Sequence, residues 1–339
     1  MLKIILNRLK PQVEKIIVEE QASCRAGSTT KQIFNLRILC EKYLQHQKDL
    51  YHVFKDFKKA FDRVWNAALW ATMKKYNIST NLIQVIKNLH NKVISAVLFN
   101  SSIGDWLRTT VGVRQGCLLS PTLFNIFLER IMTDTLEDHE GTVVSIAGRT
   151  ITNLRFADID SLAGEEELAN LVEHLHKAST AYSMEISAEK TKLMTKNISG
   201  INTEIKVNGQ KLETVTSFEY LGSVITDEGS TPEILSRLAQ TTAALTRLKP
   251  VWIDNSISLS SKVQLMRSLV TSIFVYVCEL WTLTAKLQRR IQAKEMRCYH
   301  KILHISYKDH VTNEEVRAEI QQAIGPHGDL LMIVKRRKL

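Results

Sequence analysis

Three short segments carry residue types that phosphoryl chemistry could use. Val53 to Asp62 reads VFKDFKKAFD, a strand-like run ending in Asp56, with Asp62 six residues on. Arg114 to Pro121 reads RQGCLLSP, a glycine-containing loop that feeds a helix start. Leu154 to Asp160 reads LRFADID, a strand pattern that ends in a carboxylate at a turn. Carboxylates on adjacent strand ends can hold two divalent cations ~4 Å apart, the arrangement for in-line phosphoryl transfer. Mg²⁺ suits that role, since it binds through one or two carboxylates plus substrate phosphates. Taken singly, each signal has a plainer reading. An aspartate at a strand end is commonly a turn former, and Gln115-Gly116 alone marks only a tight backbone.

The elements that must position these residues follow from periodicity. Residues 28–47 approximate a 3.6-residue period through Ile33, Leu36, Leu39 and Tyr43, which predicts a helix. Leu50–Lys55 is rich in strand formers. Helices are expected over 65–76 and 82–89. Ser120 is expected to cap a helix that has Pro121 at its first position. Residues 151–156 and the run to Leu162 read as two strands joined by a tight turn. Glu165–Tyr182 is the clearest amphipathic helix, with Leu168, Leu171, Val172 and Leu175 on one stripe. Asn208-Gly209 marks a hairpin turn among short strands from 206 to 224. From Pro232 onward the pattern is helical, and a boundary is expected near 229, at Asp227-Glu228-Gly229-Ser230.

The chain has 339 residues, 44% hydrophobic and 24% charged, with 13 glycines and 5 prolines. That composition fits long elements and excludes collagen, a proline-rich stalk and wholesale disorder. Five cysteines without a CxxC pair argue against a disulfide scaffold or a zinc ribbon, so reduced thiols are expected. Cys298, His300 and His304 match no standard zinc spacing. The longest apolar stretch, 268–283, is too short and mixed to span a bilayer. No membrane association is expected, and the N-terminus lacks the apolar core of a signal peptide. An intracellular location follows, with nucleus and cytoplasm both open. The net charge of +10 is unevenly spread: +10 over 1–110, −8 over 111–239 and +8 over 240–339. Basic segments bracketing an acidic one make nucleic acid the leading partner class.

Taken together and in this order, the three segments resemble the palm of a reverse transcriptase, and closely that of the non-LTR, LINE-like retrotransposon polyproteins. The segments EQASCRAGSTT (20–30), FEYLGSVITDEGS (218–230) and MRCYHKILHISYKDHVTNEEVR (296–317) extend the likeness over nearly the whole chain. The resemblance implies an RNA-directed DNA polymerase that joins nucleotides to a primer 3′-OH using two Mg²⁺ ions, with Mn²⁺ as an alternative. Its partners would be an RNA template, a DNA primer and dNTPs, and no protein partner is implied. Asp56 and Asp158 would hold the metals, with the Phe57 carbonyl beside them. Phe61 would pack under the incoming sugar. Gln115 and Gly116 would contact template and nucleotide. Lys190 would assist departing pyrophosphate. Phe218, Tyr220, Leu221 and Gly222 would form the hairpin that grips the primer, and Arg25 would contact the template.

The likeness also has departures. Relatives carry F-A-D-D where this chain has Phe156-Ala157-Asp158-Ile159-Asp160, as if one aspartate were lost. Either Asp160 is recruited as a catalytic carboxylate by a remodelled turn, or the strand beyond it is out of register. Lys55 stands beside the first aspartate, and a pair with Asp56 or Asp160 would compete with metal. Gln21–Ser28 lacks a glycine, a phenylalanine and an arginine of the family pattern. The alternative function is therefore an inactive remnant that keeps the fold and at most binds nucleic acid. The expected fold is α+β: an antiparallel palm sheet with helices, truncated fingers and a helical thumb. The expected division is partial fingers and palm over 1–228, a thumb-like domain over 229–310, and a helical segment with a basic tail over 311–339.

Overall fold

The computed structural model describes residues 1–18, 21, 28–46, 50–91, 93–137, 144–146, 149–151, 153–156, 158–163, 165–196, 205–226, 228–326 and 328–338. For Ser28, Leu44, the strands between 144 and 163, Glu165, Lys196 and Tyr307 it describes the backbone alone. Two compact units divide the chain, Met1–Thr216 and Ser217–Leu339.

The first unit begins with helices α1 (Leu2–Val13) and α2 (Ser28–Gln45), then strand β1 (Leu50–Lys55) and helices α3 (Asn66–Lys75) and α4 (Thr80–Asn91). A ribbon follows, of β2 (Ile94–Ser95), β3 (Leu98–Phe99), β4 (Ser102–Ile103) and β5 (Leu107–Arg108). Next come α5 (Ser120–Glu137), β6 (Val144–Ile146), β7 (Arg149–Ile151), β8 (Asn153–Phe156), β9 (Asp158–Ala163) and α6 (Glu165–Ala181). The unit closes with β10 (Lys192–Lys196), β11 (Lys206–Val207), β12 (Gln210–Lys211) and β13 (Glu213–Thr214).

Every residue of β1 is buried, His52 and Lys55 included, so the strand is covered on both faces. It is the middle strand of a five-stranded sheet ordered β13-β10-β1-β9-β8, antiparallel except for the β10–β13 pair. Tyr51, Val53 and Phe57 join the core built by Phe124, Phe127 and Ile131 of α5 and Leu168, Val172 and Leu175 of α6. On the other face His52 Nε2 lies 3.7 Å from Cys40 Sγ of α2. The sheet is thus a layer between helices, as α+β packing requires.

Helix α5 starts where the sequence suggested, but by a different device. Ser120 is its first residue, buried, and its Oγ donates to the Arg114 carbonyl at 2.6 Å instead of accepting from a helix N–H. The hydroxyl ties helix to loop because the chain doubles back there. The turn at 208–209 has positive φ at both residues, +56° and +76°, as the Asn-Gly pair demands.

The ribbon from 94 to 108 had no counterpart in the sequence reading. Asn100 and Ser101, both at positive φ, turn it. The pairing sums change between Ile94↔Arg108 and Leu98↔Ile103, so one extra residue bulges from the returning strand. Ile94, Val97, Leu98, Phe99, Ile103, Trp106 and Leu107 are each more than half exposed.

The second unit opens with a hairpin of β14 (Ser217–Tyr220) and β15 (Ser223–Thr226). Helices follow: α7 (Thr231–Arg247), α8 (Lys249–Ile253), α9 (Leu259–Leu265), a π-helical turn over Met266–Thr271, and α10 (Ser272–Phe274). Then come α11 (Ala285–Leu303), α12 (Asn313–Ile324) and α13 (Leu330–Lys338). One core gathers around Trp252, Val263, Tyr299 and Ile320, another around Phe274, Trp281, Ile291 and Val334. Among the described residues no helix is long and apolar enough to cross a membrane.

Candidate active site

Asp56 stands at the C-terminal end of β1, where the strand leaves the sheet. Three backbone links fix it there. The Ser187 N–H donates to the Asp56 carbonyl at 2.8 Å, the Lys58 N–H donates to Glu185 O at 2.8 Å, and Phe57 bridges Ile186. These links bring in the MEISAEK segment and place Lys190 Nζ 2.9 Å from Asp56 Oδ2. Asp56 is one-third exposed on its side chain and Lys190 mostly exposed, so this ion pair contributes little to stability. Asp56 Oδ2 itself is shielded from solvent and has no aligned hydrogen bond. A shielded carboxylate oxygen beside a displaceable cation is a fit donor for a divalent ion. The same segment is anchored at its rim: Glu185 pairs with Lys58 at 2.5 Å and Arg63 at 2.7 Å. Its hydrogen bond from Lys58 holds the Glu185 carboxyl below the ordinary range.

The register places the other carboxylates. β1 and β9 pair without interruption from Tyr51↔Ala163 to Lys55↔Ile159. One step further, that register sets Asp158 opposite Asp56. Phe54 pairs Asp160, so positions 158 and 160 lie on the Asp56 face of the sheet, two residues apart. Ile159 sits at a position of the opposite face. The ladder with β1 thus runs unbroken along β9 after the shortened box. Lys55, fully buried, alternates onto the face of Tyr51 and Val53, which removes it from Asp56. The cation beside the first aspartate is Lys190, not Lys55. The side chains of Asp158 and Asp160 and the whole of Arg25 lie outside the described residues. Among the described residues no cluster of three His, Cys, Asp or Glu side chains could hold a metal.

Phe61 is half-buried and stacks on Phe124, with ring centres 5.0 Å apart. Its carbonyl accepts from the Val113 N–H at 2.8 Å, and the Val64 carbonyl accepts from Gly112 at 2.9 Å. The Phe61 segment is thus bolted to the irregular segment leading into the Gln115-Gly116 turn. That turn is closed by the Cys117 N–H on Arg114 O, with Gly116 at φ +80° and both turn residues exposed. Gly112 was not singled out by sequence, yet it is the tighter position. A Cβ there would meet the Asp62 carbonyl oxygen at 2.8 Å, and its φ is +88°. The recurrence of glycine four residues apart, on either side of Arg114, was its only signal.

In the second unit Tyr220 is buried and Phe218 half-buried on the hairpin. Leu221 and Gly222 form its two-residue turn, both at positive φ. The Leu221 carbonyl accepts from Tyr276 Oη at 2.7 Å, and the Gly222 carbonyl accepts from Arg237. Beside the turn a cleft of about 460 Å³ is lined by Arg237, Gln240, Arg247 and Tyr276. His304 bonds the Trp252 carbonyl at 2.8 Å, and burial pushes the Cys298 thiol up to about 11. Both act as packing residues of the helical core.

Comparison with known proteins converges on one family. The family described as reverse transcriptase (RNA-dependent DNA polymerase) matches residues 1–225. The RNA-directed DNA polymerase from mobile element jockey of Drosophila melanogaster is 24% identical over 87% of this chain and 33% of its own length. The probable RNA-directed DNA polymerase from transposon BS of the same fly is 24% identical over 90% of this chain and 35% of its own. The Pol polyprotein from the type-1 retrotransposable element R2 of Nasonia vitripennis is 27% identical over 51% of this chain and 17% of its own. The chain thus spans about a third of the length of the first two relatives. Apo telomerase from Candida tropicalis covers 100% of this chain and 58% of its own at 14% identity with a TM-score of 0.50, a likeness of fold. The fold is accordingly the α+β polymerase fold with palm and thumb, and this chain belongs to the reverse transcriptase family, in its non-LTR retrotransposon branch.

Proposed function

We propose that the chain works as an RNA-directed DNA polymerase domain that adds dNTPs to a primer 3′-OH on an RNA template. Reverse transcriptases use divalent metals. In this reading Asp56 and Asp158 would hold two Mg²⁺ ions, which would supply charge neutralisation and a polarised nucleophile. The Phe57 carbonyl lines the same strand end. Phe61, held by Phe124, forms the floor beneath the nucleotide sugar. Gln115 and Gly116 present an exposed turn whose backbone can approach a base and phosphate closely. Lys190, mostly exposed beside Asp56, would neutralise the leaving pyrophosphate, where negative charge grows. The hairpin with Phe218, Tyr220, Leu221 and Gly222 grips the primer, and Arg25 contacts the template. The observation that carries this reading is Asp56, shielded and lysine-paired, one residue beyond the Lys55↔Ile159 pair of β1 and β9.

A second reading rests on one observation. Ile159 occupies a position of the sheet face opposite to Asp56, and Asp160 falls beside Phe54. A chain whose second carboxylate lies two residues up the strand could keep the fold and bind nucleic acid without synthesis.

Primer extension on oligo(dT)-primed RNA, with Mg²⁺ and separately Mn²⁺, decides between them. The proposal expects divalent-dependent DNA synthesis that falls at least about 100-fold in Asp56→Ala. Synthesis only after an aspartate is inserted behind Asp158 would assign the defect to the shortened box. No synthesis from either form would favour the binding-only reading.

A further inference from the structure

The turn of the 217–226 hairpin is held in a conformation its sequence does not favour. Leu221 sits at φ +50°, a left-handed conformation that a leucine rarely takes, and Gly222 follows at +76°. Such a turn persists only where its surroundings over-determine it, and strained turns cluster at functional sites. Three side chains of the same unit supply the restraint. Tyr276 Oη donates to the Leu221 carbonyl at 2.7 Å, and its ring lies 3.6 Å from where a Gly222 Cβ would be. Arg237 donates to the Gly222 carbonyl from one arm. Its Nε donates to Glu233 Oε1 at 2.8 Å, and its guanidinium stacks 4.6 Å from the centre of the Tyr276 ring. Glu233, fully buried, also accepts from the Val224 N–H at 2.6 Å with its other oxygen. Both turn carbonyls and the Val224 N–H are therefore bonded by side chains of α7 and of the turn that follows α10.

The helical segment that carries Tyr276 is itself irregular. A π-helical turn over Met266–Thr271 precedes it, and Val277 directly after it stands at φ +56°. A β-branched residue at positive φ is a genuine outlier. Two departures from regular backbone thus flank the one tyrosine that reaches the turn, and π-turns recur at functional sites.

We propose that Glu233, Arg237 and Tyr276 are positioning residues that fix the hairpin turn to the helices after it, so that the strand it grips is placed by those helices. This rests on the primer-gripping reading of the hairpin given above. The clamp differs from a general fold contact in where it acts: it holds two carbonyls at the tip and leaves Phe218 half-exposed on the strand.

The test uses the full chain with Tyr276→Phe and Arg237→Lys. Tyr276→Phe keeps the ring and removes the one hydroxyl. Arg237→Lys keeps a cation beside Glu233 and removes the fork that spans Glu233 and Gly222. Amide hydrogen exchange is followed by mass spectrometry over 217–226 and, as a reference, over 285–303. Fluorescence anisotropy compares a DNA-primed RNA duplex with unprimed RNA of the same length. Expected are exchange at 221–224 faster by about tenfold, as for loss of one hydrogen bond, with the reference unchanged. Binding of the primed duplex should weaken several-fold while unprimed RNA binds as before. Hairpin exchange at the wild-type rate in both variants overturns the clamp. Equal weakening for both nucleic acids overturns its role in primer placement. A wild-type chain that does not distinguish them at all overturns the gripping reading of the hairpin, whatever the exchange data show about the clamp.

Discussion

At the scale of single residues, the ion pair of Lys190 with Asp56 joins the end of β1 to residues 184–190, beside the backbone bond from Ser187 to Asp56. In the sequence Asp56 and Lys190 were each legible through a motif, though not as partners, and they meet at 2.9 Å. Lys55 was not: its direction depends on strand parity, which only the paired ladder defines. The cysteines offer a test at this scale. Burial pushes the Cys278 and Cys298 thiols from 9 up to about 11. Below pH 9 these thiols are protonated both folded and unfolded, so stability there is full. As pH rises from 9 to about 11 the unfolded chain releases protons that the folded chain keeps, and stability falls. Urea midpoints should therefore drop between pH 9 and 11, and less so in Cys278→Ala/Cys298→Ala. At pH 8, iodoacetamide should modify the half-exposed Cys117 before either buried thiol. Faster labelling of Cys298, read by peptide mass spectrometry, would contradict that packing.

Elements were legible where one period dominates. Helix α6 and strand β1 are stripes of apolar residues that bury one face or both, and local pattern suffices for each. The ribbon at 94–108 was illegible because its apolar residues stay exposed and its bulge breaks the alternation. The Ser120 reading failed in detail, since the Arg114 carbonyl competes for the hydroxyl through a fold-back that spacing does not reveal. Glycines at 112 and 116 carry a prediction at this scale. Both need positive φ, but only Gly112 is pressed against the Asp62 carbonyl. Gly116→Ala should destabilise by about 1 kcal/mol through backbone strain alone. Gly112→Ala adds a clash and should destabilise by roughly 2–3 kcal/mol. Denaturant titrations of the two variants check the ranking. Equal losses would mean that the 112–62 approach relaxes freely.

For the whole molecule, charge and composition indicated a nucleic-acid partner class, while the family came from the order of motifs. The division of the chain was the least legible feature. Sequence suggested a boundary near the Gly229 loop, whereas the compact units part between Thr216 and Ser217, ahead of the hairpin. The reason lies in long-range bonds from Glu233, Arg237 and Tyr276, which tie the hairpin forward in sequence. The second unit has its own two cores around Trp252 and Trp281. Residues 217–339 expressed alone should therefore be helical and melt in one cooperative transition followed by circular dichroism. A gradual, featureless melt would show that this unit depends on the first.

The apolar ribbon makes opposing demands on anyone handling the chain. At low ionic strength, molecules of net charge +10 repel one another and stay dispersed. Salt shortens that repulsion to about 8 Å at 0.15 M and to about 3 Å at 1 M. It leaves the adhesion of Phe99 and Trp106 untouched. The brine that strips contaminating nucleic acid from a basic protein thus also lets the ribbons of separate molecules meet, so that clean preparations and clear solutions pull in opposite directions.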